Sequence, residues 1–351
     1  MARPEPPQSY YLHTMPGLET VAGDEARVRL SGVTLQGVKQ IPKRNGLALL
    51  EYAGDPRDLL RLRTAEDLFV VAARLPKAPW GYEGLAAIFD SVVKSATLVP
   101  ALELATRFRS SRRGRQTFRL IARLISKNQP YRRADLQQSI EKAIERHTKR
   151  RWMAVTEGEQ VEIWANLIGL DFVCGIRLTD ETMRHRGYQI EHLPASLRPS
   201  VAAGLAWLTD PQPEDVFLDP MCGAGTLLIE RDLLGRHRLL LGGDLNPQAV
   251  AASTANIGPR HKPRQLFQWD ATRLPLADGS ANKVACNLPF GVQLGTPREA
   301  AALYAAFVRE LERVLAPRGR AALLSGQGRT LSELIRQSAV LQPVKTYVVN
   351  V

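Results

Sequence analysis

Val216-Phe-Leu-Asp-Pro-Met-Cys-Gly-Ala-Gly-Thr226 is the stretch on which the reading of this 351-residue sequence turns. A short strand is expected to end on Asp219, glycines follow at Gly223 and Gly225, and a helix is expected to open at Thr226. Glycine lets the backbone approach a ligand with no Cβ in the way. The first helical turn beyond it presents free N–H groups to an anionic group such as a carboxylate. The spacing is neither the GxGxxG of a dinucleotide-binding turn nor the Gly-Lys-Ser/Thr of a phosphate loop. Such a turn belongs to an α/β sheet, and taken alone it is as readily structural as functional.

Outward from this turn, residues 199–351 alternate strand and helix at a βα repeat length. Strands are expected at Val216–Asp219, Leu239–Asp244, Arg264–Trp269, Asn282–Asn287, Arg320–Ser325 and Lys345–Val351. Asn246-Pro247 and Thr296-Pro297 each put a capping side chain before a Pro at the first helical position. Behind the second pair, Leu303, Phe307, Leu311 and Val314 make a buried stripe. The pattern predicts a mostly parallel sheet with helices on both faces, and open α/β sheets bind ligands at the carboxyl ends of their strands. Three features sit there. Asp219 and the Gly223–Thr226 turn end the first strand. Asp244, with Leu245 beside it, ends the second and is placed to accept both hydroxyls of a ribose. Asp270, with Ala271, ends the third and could accept from an adenine amino group. One such acid would be read as a cap or a solvated charge; three at successive strand ends point to a nucleoside-bearing ligand.

The fourth strand carries Asn287-Leu288-Pro289-Phe290-Gly291. An exocyclic base amine is a poor nucleophile because its lone pair is delocalised into the ring. Two acceptors, the Asn287 side-chain oxygen and the Leu288 carbonyl, can hold its hydrogens and free the lone pair toward a sulfonium. Pro289 restrains the backbone so that the Leu288 carbonyl keeps one direction, and Phe290 offers a face for stacking. Such catalysis is positioning and hydrogen bonding, with no metal and no covalent intermediate. Cys222 and Cys286 lie beside these motifs without a His partner and read as packing. His185 and His192 read as solvated or capping.

Upstream, the charge is uneven. The chain carries a net +12, and Arg107–Arg151 alone holds 15 Lys or Arg against Asp135, Glu141 and Glu145, so the remainder balances. An uncompensated block of one sign repels itself, which favours a polyanionic partner over a merely solvated face. The block lies in residues 77–178, where Thr117–Leu124 alternates as a strand and Ala134–His147 reads as a helix with Leu136, Ile140, Ala143, Ile144 and His147 on one stripe. Val161–Ile168 and Asp171–Arg177 follow as strands. Arg107, Arg109, Arg112, Arg113, Arg115, Arg119, Arg123, Lys127, Arg132 and Arg133 are the candidate RNA contacts. Residues 1–76 read as a small α+β unit with strands at Ala26–Leu30, Leu47–Tyr52 and Leu68–Ala72 and a short helix near Asp55–Arg63. A linker is expected over 179–198. Three scattered cysteines and no CxxC argue against disulfides and structural zinc and for a cytoplasmic protein. No apolar run reaches the ~18 residues of a membrane span, and the Pro-rich N-terminus is no signal peptide.

Asp219-Pro-Met-Cys-Gly-Ala-Gly-Thr226 with Asn287-Leu-Pro-Phe-Gly291 resembles the THUMP-domain RNA guanine-N2 methyltransferases, particularly the tRNA branch. Arg184-His-Arg-Gly-Tyr188 and Leu193-Pro-Ala-Ser-Leu-Arg-Pro199 are similar to the approach to that family's catalytic domain, and Thr117-Phe-Arg-Leu-Ile-Ala-Arg123 with the Ala134–Glu145 helix to its THUMP module. The resemblance implies a ferredoxin-like domain over 1–76, a THUMP domain over 77–178 and a Rossmann-like class I methyltransferase domain over 199–351. It implies S-adenosylmethionine as cofactor, a monomer, and N2-methylation of a guanosine in tRNA, in the acceptor stem, with the THUMP module gripping the 3′ end. Asp244 would take the ribose, Asp270 the adenine, and Asn287 with Leu288 the target amine. Leu288 stands where the familiar tetrapeptide has a first Pro. The usual seventh strand of such sheets has no counterpart before Val351; if the sequence is not truncated there, an open sheet edge is expected. Ribosomal RNA guanine-N2 methylation, DNA adenine-N6 methylation and a tRNA-binding protein with a decayed catalytic half are the alternatives that the residues leave open.

Overall fold

The computed structural model describes residues 8–41, 45–108, 116–194, 196–259, 261–290 and 297–350. The chain divides into two compact units, Met1–Met183 and Arg184–Val349.

The first unit opens with β1 (Gln8–Thr14), α1 (Glu19–Arg29), β2 (Thr34–Lys39), β3 (Gly46–Tyr52), α2 (Pro56–Leu59) and β4 (Asp67–Leu75). The strands pair antiparallel in the order β2-β3-β1-β4. This βαββαβ order is the ferredoxin-like arrangement. The expected strand at Ala26–Leu30 is instead the end of α1. Alternation would have put Ala26, Val28 and Leu30 on one face, but the helix stacks Ala22 and Ala26 into the core and leaves Val28 69% exposed. The helical period satisfies two buried alanines at the cost of one solvated valine.

There follow α3 (Gly81–Val93), α4 (Leu98–Phe108), β5 (Gln116–Ile125), α5 (Arg133–His147), β6 (Trp152–Ala154), β7 (Val161–Ile168) and β8 (Asp171–Arg177). Their strands continue the same sheet through an antiparallel β4–β8 pairing, giving, among the described residues, eight strands in the order β2-β3-β1-β4-β8-β7-β5-β6. Period-2 burial is evident in β5, where Phe118, Leu120 and Ala122 are buried and the intervening residues are not. β4 instead buries both faces, Leu68, Val70 and Ala72 in the helix-covered core and Phe69 and Val71 in a second cluster with Tyr11 and Val173. A continuous apolar run is what a strand buried on both faces requires. In α5 Leu136, Ile140, Ala143 and Ile144 of the expected stripe are buried, while His147 at the helix end is only half-buried, its Nδ1 2.7 Å from Val93 O.

The second unit contains α6 (Pro199–Leu208), β9 (Val216–Asp219), α7 (Thr226–Leu234), β10 (Leu239–Asp244), α8 (Pro247–Ile257), β11 (Arg264–Gln268), β12 (Ala281–Asn287), α9 (Pro297–Val314), β13 (Leu315–Leu324) and α10 (Gly328–Gln337). Among the described residues its five strands are all parallel, in the order β11-β10-β9-β12-β13. One core cluster packs α9 and α10 against the sheet; a second packs α6 and α7. From β9 the chain winds outward through β10 and β11, then resumes at β12 on β9's other side. The strand order therefore reverses between β9 and β12, and a crevice at their carboxyl ends is the expected ligand position.

Of the strand expected over Lys345–Val351, residues 345–350 do not form one, and Val351 lies outside the described residues. Residues 341–350 are irregular, with Val344 and Val348 97% and 80% exposed. Alternating apolar residues make a strand only when a neighbour supplies the ladder, and among the described residues none pairs with this segment. Among the described residues no single helix is long and apolar enough to cross a membrane.

Candidate active site

Asp219, the last residue of β9, is 1% exposed. Its Oδ1 accepts the Met221 N–H at 3.3 Å, but burial, with the Asp244 charge adding to it, pushes its carboxyl well above the usual carboxylate range. The turn beyond runs through Gly223 and Gly225, at φ +50° and +82°, a region a side chain resists. A Cβ on Gly225 would stand 3.1 Å from Ser253 Cβ on α8, so this position also lets two helices approach. Thr226 then opens α7, with Gly225 as a cap that offers no side-chain acceptor. The first N–H groups of α7 are of the kind that hold an anion.

The second strand end is built onto the first. Asp244 Oδ2 accepts the Gly223 N–H and its Oδ1 the Asn246 N–H, both at 3.0 Å, while Cys222 N–H donates to Gly243 O at 2.8 Å. Gly243 is bare for a reason: a Cβ there would lie 2.4 Å from the Trp269 ring. Trp269 in turn donates Nε1–H to Pro220 O at 3.0 Å and stacks on Phe267. Three strand ends are thus tied into one frame. Leu245, 69% exposed, projects beside Asp244, and Ala271 is buried behind Asp270. Asp270 Oδ1 accepts from the Thr272 N–H and hydroxyl at 2.8 and 2.7 Å, which lowers its carboxyl pKa.

At the end of β12, Asn287 Oδ1 is buried and has no hydrogen-bond partner among the described residues. A buried amide oxygen left without a donor costs about 1–3 kcal/mol unless a ligand completes it. Leu288 is fully buried and its N–H donates to Leu324 O at 2.9 Å. Phe290 is 38% exposed. The structure thus brings Asp219, Gly223, Gly225, Thr226, Asp244 and Asn287 to the carboxyl ends of the neighbouring strands β9, β10 and β12. The thiols of Cys222 and Cys286 are buried and pushed up from their ordinary value, which disfavours the nucleophilic thiolate. No group of three or more His, Cys, Asp or Glu side chains is placed to hold a metal ion among the described residues.

Other contributors carried no motif. Asn256, on α8, donates Nδ2–H to Ala224 O in the Gly-rich turn and to Glu191 O, while its Oδ1 accepts the N–H groups of Ile190 and Glu191. Tyr304 on α9 donates to Pro289 O at 2.6 Å. A lone Asn or Tyr on a helix is indistinguishable in sequence from any other, so only tertiary contact could reveal them.

Of the basic candidates, Arg107, Lys127, Arg132 and Arg133 are exposed. Arg119 is engaged by Glu159 and Glu162, and Arg123 lies over the Trp164 ring, 4.1 Å from its centroid. Arg109, Arg112, Arg113 and Arg115 lie outside the described residues, as does the Thr296 cap; the Asn246 cap is present, accepting the Gln248 N–H at 2.9 Å.

Residues 186–351 match the RMKL-like methyltransferase domain. The chain is similar to the tRNA (guanine(6)-N(2))-methyltransferase THUMP3 of Homo sapiens, with 33% identity over 57% of this chain and 42% of that protein. It is 35% identical to the Bos taurus protein of the same name over 50% of this chain and 37% of that one, so the chain spans about two fifths of these relatives' length. A tRNA (guanine(6)-N2)-methyltransferase of Thermus thermophilus is 26% identical over 89% of this chain and 87% of that protein. The crystal structure of TrmN from Thermus thermophilus superposes with a TM-score of 0.73, 24% identity and coverage of 98% of this chain and 96% of that one.

Proposed function

We propose that this protein, whose residues 186–351 match the RMKL-like methyltransferase domain, methylates the N2 amine of a guanosine in tRNA, in the acceptor stem, using S-adenosylmethionine. The observation that carries the reading is the buried, unpartnered Oδ1 of Asn287 at the end of β12, facing the requirement of an exocyclic amine for an acceptor. The glycine-lined turn and the open N-terminus of α7 suit the amino-acid end of the cofactor, and Asp244 its ribose. When bound, S-adenosylmethionine supplies an electrophilic methyl on a sulfonium and leaves as a neutral thioether.

The chain's own residues do the rest by positioning. Asn287 Oδ1 accepts one amine hydrogen and the Leu288 carbonyl the other, which turns the nitrogen lone pair out of the ring. Phe290 stacks on the base. The amine nitrogen would gain the methyl as its bond to sulfur breaks and release one proton to water, and a fully positioned acceptor pair lowers the barrier without a metal or a covalent enzyme intermediate. The tRNA assignment is supported by the names of the relatives and by the basic block in Arg107–Arg151, within a ferredoxin-like and THUMP half read over 1–76 and 77–178, ahead of the 179–198 linker. We place the protein in the cytoplasm as a monomer that needs no metal.

Purified protein with labelled S-adenosylmethionine is expected to label bulk tRNA, and nucleoside digestion to yield N2-methylguanosine. Label confined to ribosomal RNA, or found on adenine, would sink the proposal. Asn287→Ala is expected to cut turnover by at least ~100-fold while cofactor affinity stays near wild type. Loss of cofactor binding instead would make Asn287 a structural residue.

A further inference from the structure

We propose that Tyr304, Ser325 and Gly326 are positioning residues of the catalytic turn: together they clamp the Pro289 carbonyl and seat the Phe290 ring. This rests on the reading of Asn287–Phe290 as the methyl-transfer site.

The geometry is a one-way chain of donors. The Gln327 N–H donates to Ser325 Oγ at 2.9 Å, the Ser325 hydroxyl to the Tyr304 hydroxyl at 3.0 Å, and the Tyr304 hydroxyl to Pro289 O at 2.6 Å. Hydrogen bonds in a chain polarise one another, so the bonds through Ser325 reinforce the Tyr304 donation to Pro289 O. Proline has no N–H, which makes that carbonyl the only backbone group by which residue 289 can be held. The carbonyl lies in the peptide plane that leads into Phe290, so holding it sets where the Phe290 ring begins. One residue earlier, Leu288 N–H is bonded to Leu324 O, and one residue later the Phe290 side chain rests on Gly326. A Cβ on Gly326 would lie 2.9 Å from Phe290 Cγ and 3.0 Å from its Cβ, the stiff root of that side chain. Leu288 and Phe290 are therefore registered directly against Leu324, the last residue of β13, and Gly326 just beyond it, while Pro289 between them is held through Tyr304, which Ser325 bonds in turn. Tyr304 is fully buried on α9. A Phe would fill the same apolar space, so the hydroxyl is there for the bonds it makes.

The bland reading is a buried tyrosine that takes the nearest carbonyl. It predicts that removing the hydroxyl costs stability and nothing specific to the turn. In the full chain, Tyr304→Phe is expected to lower single-turnover methyl transfer about 10- to 100-fold, since misplacement of the order of 1 Å is enough for that. Cofactor and tRNA affinities should stay within ~2-fold of wild type. Amide hydrogen exchange at Leu288 and Phe290 should quicken while the amides within β12 keep their protection. Gly326→Ala should displace the Phe290 ring, raising KM for RNA along with lowering kcat, whereas Ser325→Ala should give a milder form of the Tyr304→Phe result. Wild-type turnover and wild-type exchange in Tyr304→Phe would overturn the proposal. So would a loss of turnover that merely follows a loss of cofactor binding or of global stability. If the wild-type protein transfers no methyl to tRNA, the functional reading falls by itself. The exchange measurement needs no RNA and still decides whether Tyr304 clamps the turn.

Discussion

Asp219 shows what a single residue's surroundings can do. A carboxylate at a surface strand end is ordinary, but here the group is buried, close to a second acid, and its pKa is raised. The folded protein holds this proton more tightly than the unfolded chain. The group's contribution to stability is therefore complete below the unfolded value near ~4 and is lost as pH rises through the folded value. Asp219→Asn keeps an oxygen for the Met221 N–H and removes the charge. It is expected to melt a few degrees above wild type at pH 8, with the gap closing toward pH 4. A gap of the same size at every pH would mean that titration of Asp219 is not its source. The positions of Asp219, Asp244 and Asn287 at strand ends were legible in sequence because each borders a turn, whereas Asp270 lies two residues beyond the end of β11. The partners were not legible: the Gly223 N–H that Asp244 accepts and the Thr272 groups that Asp270 accepts are known only once the turns are folded.

Among the elements, β9 to α8 follow their sequence signals closely. The strands read at Val216–Asp219 and Leu239–Asp244 form at those residues, and Asn246-Pro247 opens α8 with the side-chain cap in place. Asn246→Ala is expected to cost about 1 kcal/mol, seen as a lower urea midpoint with an unchanged slope, and Asn246→Asp should restore most of it. Equal midpoints for Ala and Asp variants would deny the cap any role. The two elements that departed from expectation, Ala26–Leu30 and Lys345–Val351, share a cause. Both alternate over a few residues, and short alternation fits a strand, a helix end or an extended tail equally well. Packing chose between them: α1 buries Ala22 and Ala26, whereas 345–350 meets no ladder partner among the described residues.

In the whole molecule, charge and chemistry are segregated. The basic block belongs to the Met1–Met183 unit and the strand-end constellation to the Arg184–Val349 unit. Neutralising Arg112, Arg113 and Arg115 together should weaken tRNA binding and lower the salt slope by up to ~0.9 for each phosphate no longer neutralised, leaving cofactor affinity unchanged. Titrations of the triple variant at two or more salt concentrations check this, and an unchanged affinity and slope would remove the block from the interface. The sequence by itself determined the parallel α/β sheet, the acids at its strand ends and the Asn-Leu-Pro-Phe turn. These are local signals, set by residues within a few positions of one another. Tertiary structure alone decided that the ferredoxin-like and downstream strands share one sheet, since the β4–β8 ladder pairs residues about a hundred positions apart. It alone decided too how the Val216–Thr226 turn is held. Asp244, Asn256 and the carbonyl of Gly243 grip it from outside its own stretch, and hydrogen bonds between segments distant in sequence leave no periodicity to read.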